Sequence, residues 1–185
     1  DTPYDEKDFQ SVKADEIAKT VYDQVYENYR EKSKMIARQS YPVIKDVYER
    51  NTPYENIAIP ITDGSKQMNA VANLKKAYED ESKEVILAIE KGITLSIIDN
   101  SWKDHLREMD DLKQSVQNAQ YEQKDPLLIY KFESFELFKK LIEKINEEIV
   151  SFLIRANIPM QSADNVQEAQ APRGVDMSRM KEERS

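Results

Sequence analysis

Between Lys13 and Arg50 the apolar residues Ile17, Val21, Val25, Tyr29, Met35 or Ile36, Val43 or Ile44, Val47 and Tyr48 recur at helical spacing, with charges between them. That spacing predicts an amphipathic helix. Pro42 has no amide proton and turns Tyr41 away from the α region, so a break near Ser40 and two helical pieces are expected. Asn51-Thr-Pro53 ends the second piece. The period then changes. Ile57-Ala-Ile-Pro-Ile61 and Met68-Asn-Ala-Val71 flank Thr62-Asp-Gly-Ser65, an Asp-Gly turn between β-favouring runs, which predicts a short hairpin. Pro60 lacks a donor and assigns its strand to an edge, and a hairpin this small requires helices to cover it.

A second long helix is expected from about Asn73 to Gln117, on the stripe Ile86, Ile89, Ile93, Ile97, Ile98, Trp102, Leu106, Met109, Leu112 and Val116. Gly92 costs that helix up to about 1 kcal/mol relative to Ala and marks either a flexible point or a close helix contact. Asp125 is placed to cap the next helix and Pro126 suits its first turn. That helix carries Leu128, Phe132, Phe135, Phe138, Ile142, Ile145, Ile149 and Phe152. Two such stripes joined by a short loop bury each other only if the helices run antiparallel. After Pro159 the apolar period stops, and a segment of this composition cannot offset its ordering entropy. The pattern predicts a mainly α chain. It places a helical unit with a small β-hairpin first, a long antiparallel two-helix hairpin next, and a flexible tail over 158–185.

Composition narrows the function classes. The chain has 185 residues, 34% of them charged, with three glycines and no cysteine. Cysteine's absence removes disulfides and thiolate zinc sites. A net charge of -8 with no basic face argues against nucleic-acid binding. No apolar run approaches the roughly 18 residues of a membrane span, and the first residues lack the regions of a signal peptide, so a soluble chain that is not itself exported is expected. His105 could suggest a metal, yet a di-metal bundle wants Glu-x-x-His pairs; Trp102 stands where the glutamate would be and there is no second histidine. Glu108, Asp110 and Asp111 read as a solvated helix face rather than a catalytic cluster.

Three blocks carry a family likeness: Trp102-Lys-Asp-His-Leu-Arg-Glu-Met-Asp-Asp-Leu-Lys-Gln-Ser-Val116, then Tyr121-Glu-Gln-Lys-Asp-Pro126, then Tyr130-Lys-Phe-Glu-Ser-Phe135. The chain resembles the C-terminal helical region of the SecA family, the ATP-driven motors of bacterial protein secretion. The resemblance implies that residues 1–82 form a helical wing and that 83–157 form the two-helix finger of the helical scaffold. It also implies that Tyr121, Gln123 and Lys124 lie at a fingertip that meets a SecY-type channel and the unfolded preprotein. Trp102, Arg107 and Asp110 would face the motor domains of the same parent chain. No Walker A pattern occurs, so this chain is expected to bind no cofactor and to be no enzyme by itself, with ATP and magnesium handled elsewhere in the parent. The implied location is cytoplasmic, peripheral at the inner face of the cell membrane through the channel. Asn118-Ala119 stands where the family usually has a Leu-Arg pair, which removes a basic contact near the tip. The long scaffold helix expected before the wing is absent, and apolar surface left without its cover would favour self-association. The competing reading is a free-standing helical interaction protein or chaperone that uses the same stripes.

Overall fold

The computed structural model describes residues 11–117, 125–159 and 162–169. Its first element, α1 (Ala14–Glu49), is one unbroken helix with Pro42 inside it, which corrects the expected break near Ser40. An internal proline costs about 3 kcal/mol or more. Beyond it, however, Ile44 and Val47 are buried and Tyr48 stacks on Tyr78 with ring centroids 4.3 Å apart. Burial of two such aliphatic side chains is worth roughly 1.5–3 kcal/mol each, enough to hold the helix through the proline. Pro42 itself is exposed, so water can satisfy the carbonyl one turn back. Asn51, at φ 53°, then turns the chain out of the helix.

The hairpin forms as the Asp-Gly signal predicts. Strands β1 (Asn56–Thr62) and β2 (Gln67–Asn73) pair antiparallel, with Ile57, Ile59 and Ile61 opposite Ala72, Ala70 and Met68. At the turn, Gly64 has φ 94° and Asp63 Oδ1 accepts from the Ser65 and Lys66 amides at 2.9 and 2.7 Å. Alternation explains Pro60. The amides of Ala58 and Thr62 point away from β2, donating to Gln167 and Asn157 carbonyls at 3.0 Å each. Pro60 belongs to that outward set, so its missing donor costs the β1–β2 ladder nothing. The strand is nevertheless not a bare edge. The returning chain bridges it at Thr62–Asn157 and Ile57–Glu168. Residues 162–169, expected to be flexible tail, are therefore structured: they hold a 3-10 turn (Ala163–Asn165), and Ala163 and Val166 pack on the core.

The long helix expected from Asn73 is two helices. Asn73 caps α2 (Leu74–Glu79), accepting from the Lys76 amide at 3.0 Å, and Glu81 and Ser82 then take left-handed conformations, φ 56° and 69°. Asp80 accepts from the Glu84 amide at 2.8 Å and starts α3 (Lys83–Gln117). The turn lets α2 bury Leu74 and Ala77 while α3 crosses the sheet in a new direction. Helix α4 (Pro126–Arg155) begins as the sequence indicates, Asp125 Oδ1 accepting from the Leu127 amide at 2.9 Å with the proline in the first turn.

Helices α3 and α4 run antiparallel, as Asp104 near Lys144 and His105 near Phe138 show. The fold is mainly α, with a two-stranded sheet and a long helical hairpin. One core joins Ile44 and Val47 of α1, the inward faces of both strands, Val85, Ile89, Ile93 and Ile97 of α3, and Phe152 of α4. Gly92 marks a close approach to a strand rather than to another helix: a Cβ there would lie 3.2 Å from the Ala70 methyl.

Candidate functional site at the far half of the helical hairpin

Beyond the sheet, α3 changes which residues it turns inward. The expected stripe continues through Ile98, Trp102 and Leu106, yet these are 40%, 46% and 48% exposed, while Ser101 and His105 are buried. The doubled Ile97-Ile98 is where the two readings part: Ile97 is buried in the seam, and four-residue steps from it reach Ser101 and His105. The Trp102 ring lies 5.5 Å from His105, which in turn meets the edge of Phe138 at 6.2 Å. His105 Nδ1 is buried without a hydrogen-bond partner.

The facing helix shows the same division. Leu141 and Phe152 are buried on α4, but Leu128, Phe132, Phe135 and Ile142, all expected to pack inward, are exposed. A pair of helices shares only a narrow seam, and the aromatic stripe of α4 is wider than one partner can cover. Lys139 lies 5.8 Å from the Phe135 ring centroid, a cation over an exposed aromatic face.

Of the residues singled out in the sequence, Arg107 is engaged along its own helix, with Nη1 2.7 Å from Asp104 Oδ1. Asp110 is exposed to solvent. Five residues separate Trp102 from Arg107, about 140° around a helix, so the structure does not bring them to one face. Tyr121, Gln123 and Lys124 lie outside the described residues, as does the Asn118-Ala119 departure. What is described is their frame: α3 ends at Gln117 and Asp125 opens α4, so residues 118–124 join two antiparallel helices.

Two contacts that fix this hairpin to α1 were not legible beforehand. The Tyr29 hydroxyl donates to Glu90 Oε1 at 2.8 Å; burial, reinforced by the Glu90 carboxylate, pushes the phenol well above its ordinary range. Lys32 Nζ donates to the carbonyl of Ile154 at 2.6 Å and of Leu153 at 3.4 Å, closing the last turn of α4 from outside. Burial lowers the Lys32 pKa from its ordinary value. Helical periodicity marks Tyr29 only as an apolar position and leaves Lys32 among the solvated charges.

The pattern of the family described as SecA Wing and Scaffold domain matches residues 4–157. The chain belongs to that SecA family. Among relatives called protein translocase subunit SecA, that of Bacteroides thetaiotaomicron is 50% identical over 178 residues, covering 96% of this chain and 16% of the relative. The protein from Christiangramia forsetii is 51% identical over 170 residues, 91% of this chain and 15% of that protein. That of Porphyromonas gingivalis strain W83 is 43% identical over 186 residues, spanning 100% of this chain and 17% of its own length. The chain thus covers about a sixth of the length of the SecA relatives it matches. No solved structure matches it. No described helix is long and apolar enough to cross a membrane.

Proposed function

We propose that this chain is the wing and scaffold segment of a SecA-type translocase, carrying a hairpin tip that contacts a translocating polypeptide and a SecY-type channel. The observation that supports the reading is the position of Asp125 and Pro126, which cap α4 at the end of the hairpin remote from the shared core. Residues 1–82 act as the helical wing, 83–157 as the finger and 158–185 as the trailing segment. A loop raised on a pair of helices some 40 Å long can enter a protein-lined opening. The charges of Lys139, Lys140, Glu143 and Lys144 keep the hairpin away from lipid. The chain itself performs no bond chemistry. ATP and magnesium belong to motor domains elsewhere in the parent, which works in the cytoplasm, peripheral at the inner face of the cell membrane. Trp102, Arg107 and Asp110 contact those motor domains.

Tyr121 is the residue with the sharpest role. An aromatic ring rests on many side chains and on backbone without requiring one sequence, which suits varied preproteins. In the full-length parent, Tyr121→Ala should leave basal ATPase activity and channel binding intact while translocation of a preprotein falls sharply, and Tyr121→Phe should retain more. Unchanged translocation by the Ala variant would remove the role.

The exposed aromatic stripe of α4 supports a second reading, a helical interaction protein that self-associates or holds unfolded chains through Phe132 and Phe135. Sedimentation of the 185-residue chain, together with an aggregation assay on an unfolded protein, tests it. A strict monomer that does not suppress aggregation of an unfolded protein excludes this alternative.

A further inference from the structure

The two edges of the small sheet are in different states. On β1 the outward backbone is engaged by the returning chain: Ala58 donates to Gln167, Ala169 donates to Asn56, and Thr62 exchanges two bonds with Asn157. On β2 the register turns Ala72, Ala70 and Met68 toward β1, so the alternate residues Gln67, Asn69 and Val71 direct their amides and carbonyls outward. Among the described residues those outward groups of Asn69 and Val71 have no backbone partner. The residues along this edge, Gln67, Asn69, Val71 and Asn73, are neutral, and neither proline nor lysine guards it. Open edges template further strands, and proteins that must avoid this usually place such guards there.

We propose that the outer edge of β2 binds an extended polypeptide by strand addition, through the backbone groups of Asn69 and Val71. The ligand is argued from the sheet itself, because its other edge already engages two short pieces of chain, at Asn157 and at 167–169, by the same backbone bonds. Backbone pairing gives affinity with little demand on sequence, and the neutral edge imposes no charge preference on the ligand. Helix α3 crosses β2 beside this edge. Gly92 sits on Ala70, and Leu95, about 200° around the helix from the seam residue Ile97, is 55% exposed on the flank away from α4. The identity of the natural ligand as a preprotein rests on the function proposed above; binding at the edge does not.

The test is amide hydrogen exchange on the whole 185-residue chain, with and without two neutral decapeptides of unrelated sequence and with the same peptides N-methylated at alternate amides along one edge. Both plain peptides should slow exchange at Asn69 and Val71 by about tenfold or more at saturation, while the methylated forms do not. Val71→Pro should abolish the effect at Asn69 and leave the inward amides of Ala70 and Ala72 protected, since residue 71 donates nothing to β1. If that variant does not fold, the methylated peptides give the same comparison on the unaltered chain. Absent slowing, equal slowing by methylated peptides, or protection centred on the Phe132–Phe135 face would overturn the proposal. So would protection without peptide that rises with protein concentration, which would make a second copy the occupant. The Tyr121 translocation assay does not read this edge, so failure here and failure of the proposed function are distinguishable.

Discussion

Gly92 of α3 lies directly on Ala70 of β2, and an added Cβ would stand 3.2 Å from the Ala70 methyl and 3.4 Å from its Cα. Ala70 is buried and has no side-chain torsion with which to move aside. Helical propensity alone favours Gly92→Ala by about 1 kcal/mol, while overpacking a tight contact costs about 1–3 kcal/mol. The variant should therefore gain nothing and lose up to about 2 kcal/mol in chemical denaturation. Adding Ala70→Gly should recover part of the loss, so the double-mutant cycle should show a coupling of about 0.5 kcal/mol or more. Additive effects would mean that the contact is looser than described.

Lys32 is expected to matter more than an exposed lysine. Lys32→Met removes a charged donor from the carbonyls of Leu153 and Ile154, and should cost about 1–2 kcal/mol. The loss should concentrate at the end of α4, with faster exchange at the Asn157 amide that bridges to Thr62. Lys32→Arg should retain most of it. A loss confined to the middle of α1 would place the role elsewhere.

The hairpin turn should resist acid. The amides of Lys66 and Ser65 hold the Asp63 carboxyl at about 2, below its ordinary value. Its contribution is thus present above the ordinary carboxylate range and is lost as pH falls through about 2. Amide resonances of Ser65 and Lys66 followed by NMR should titrate with a midpoint near that value. A midpoint near the free aspartate value of about 3.9 would show that these bonds do not form in solution.

Cutting the chain at residue 157, where the family match ends, should destabilise it. The segment beyond covers the amide of Ala58, packs Ala163 and Val166 on the core, and brings Asp164 to Arg50. A chain ending at Asn157 should melt several degrees below one ending at Ala169, a loss of about 2 kcal/mol for two partly buried apolar residues. It should also associate more readily, with part of a second sheet edge uncovered. Equal melting temperatures would make the segment a passenger.

Local chemistry was legible in the sequence where one short motif determines one local geometry. Asp63-Gly64 marked the turn, Asp125-Pro126 the start of α4, and the paired apolar stripes the antiparallel hairpin. Pro42 misled because proline's local cost is smaller than the burial of Ile44 and Val47 that lies beyond it. Trp102 misled for a different reason. Periodicity finds apolar stripes but does not say which of two adjacent stripes meets the neighbour, and here the seam runs through Ser101 and His105. The pairing of Gln167 and Ala169 with β1 uses backbone atoms, which leave no side-chain signature. Tyr29 and Lys32 meet partners 61 and more than 120 residues away, a distance at which one sequence carries no pairing signal.

The seat of Gly92 on Ala70 also acts as a fulcrum. From residue 92 to the end of α3 at Gln117 the helix extends roughly 37 Å, so a tilt of about 5° at the sheet would displace that end by about 3 Å, the breadth of a side chain. Aim at the loop is therefore set by angular tolerance at the base. Two residues without a movable side-chain torsion make an accurate pivot, and a methyl group added there would be felt most at the opposite end of the lever.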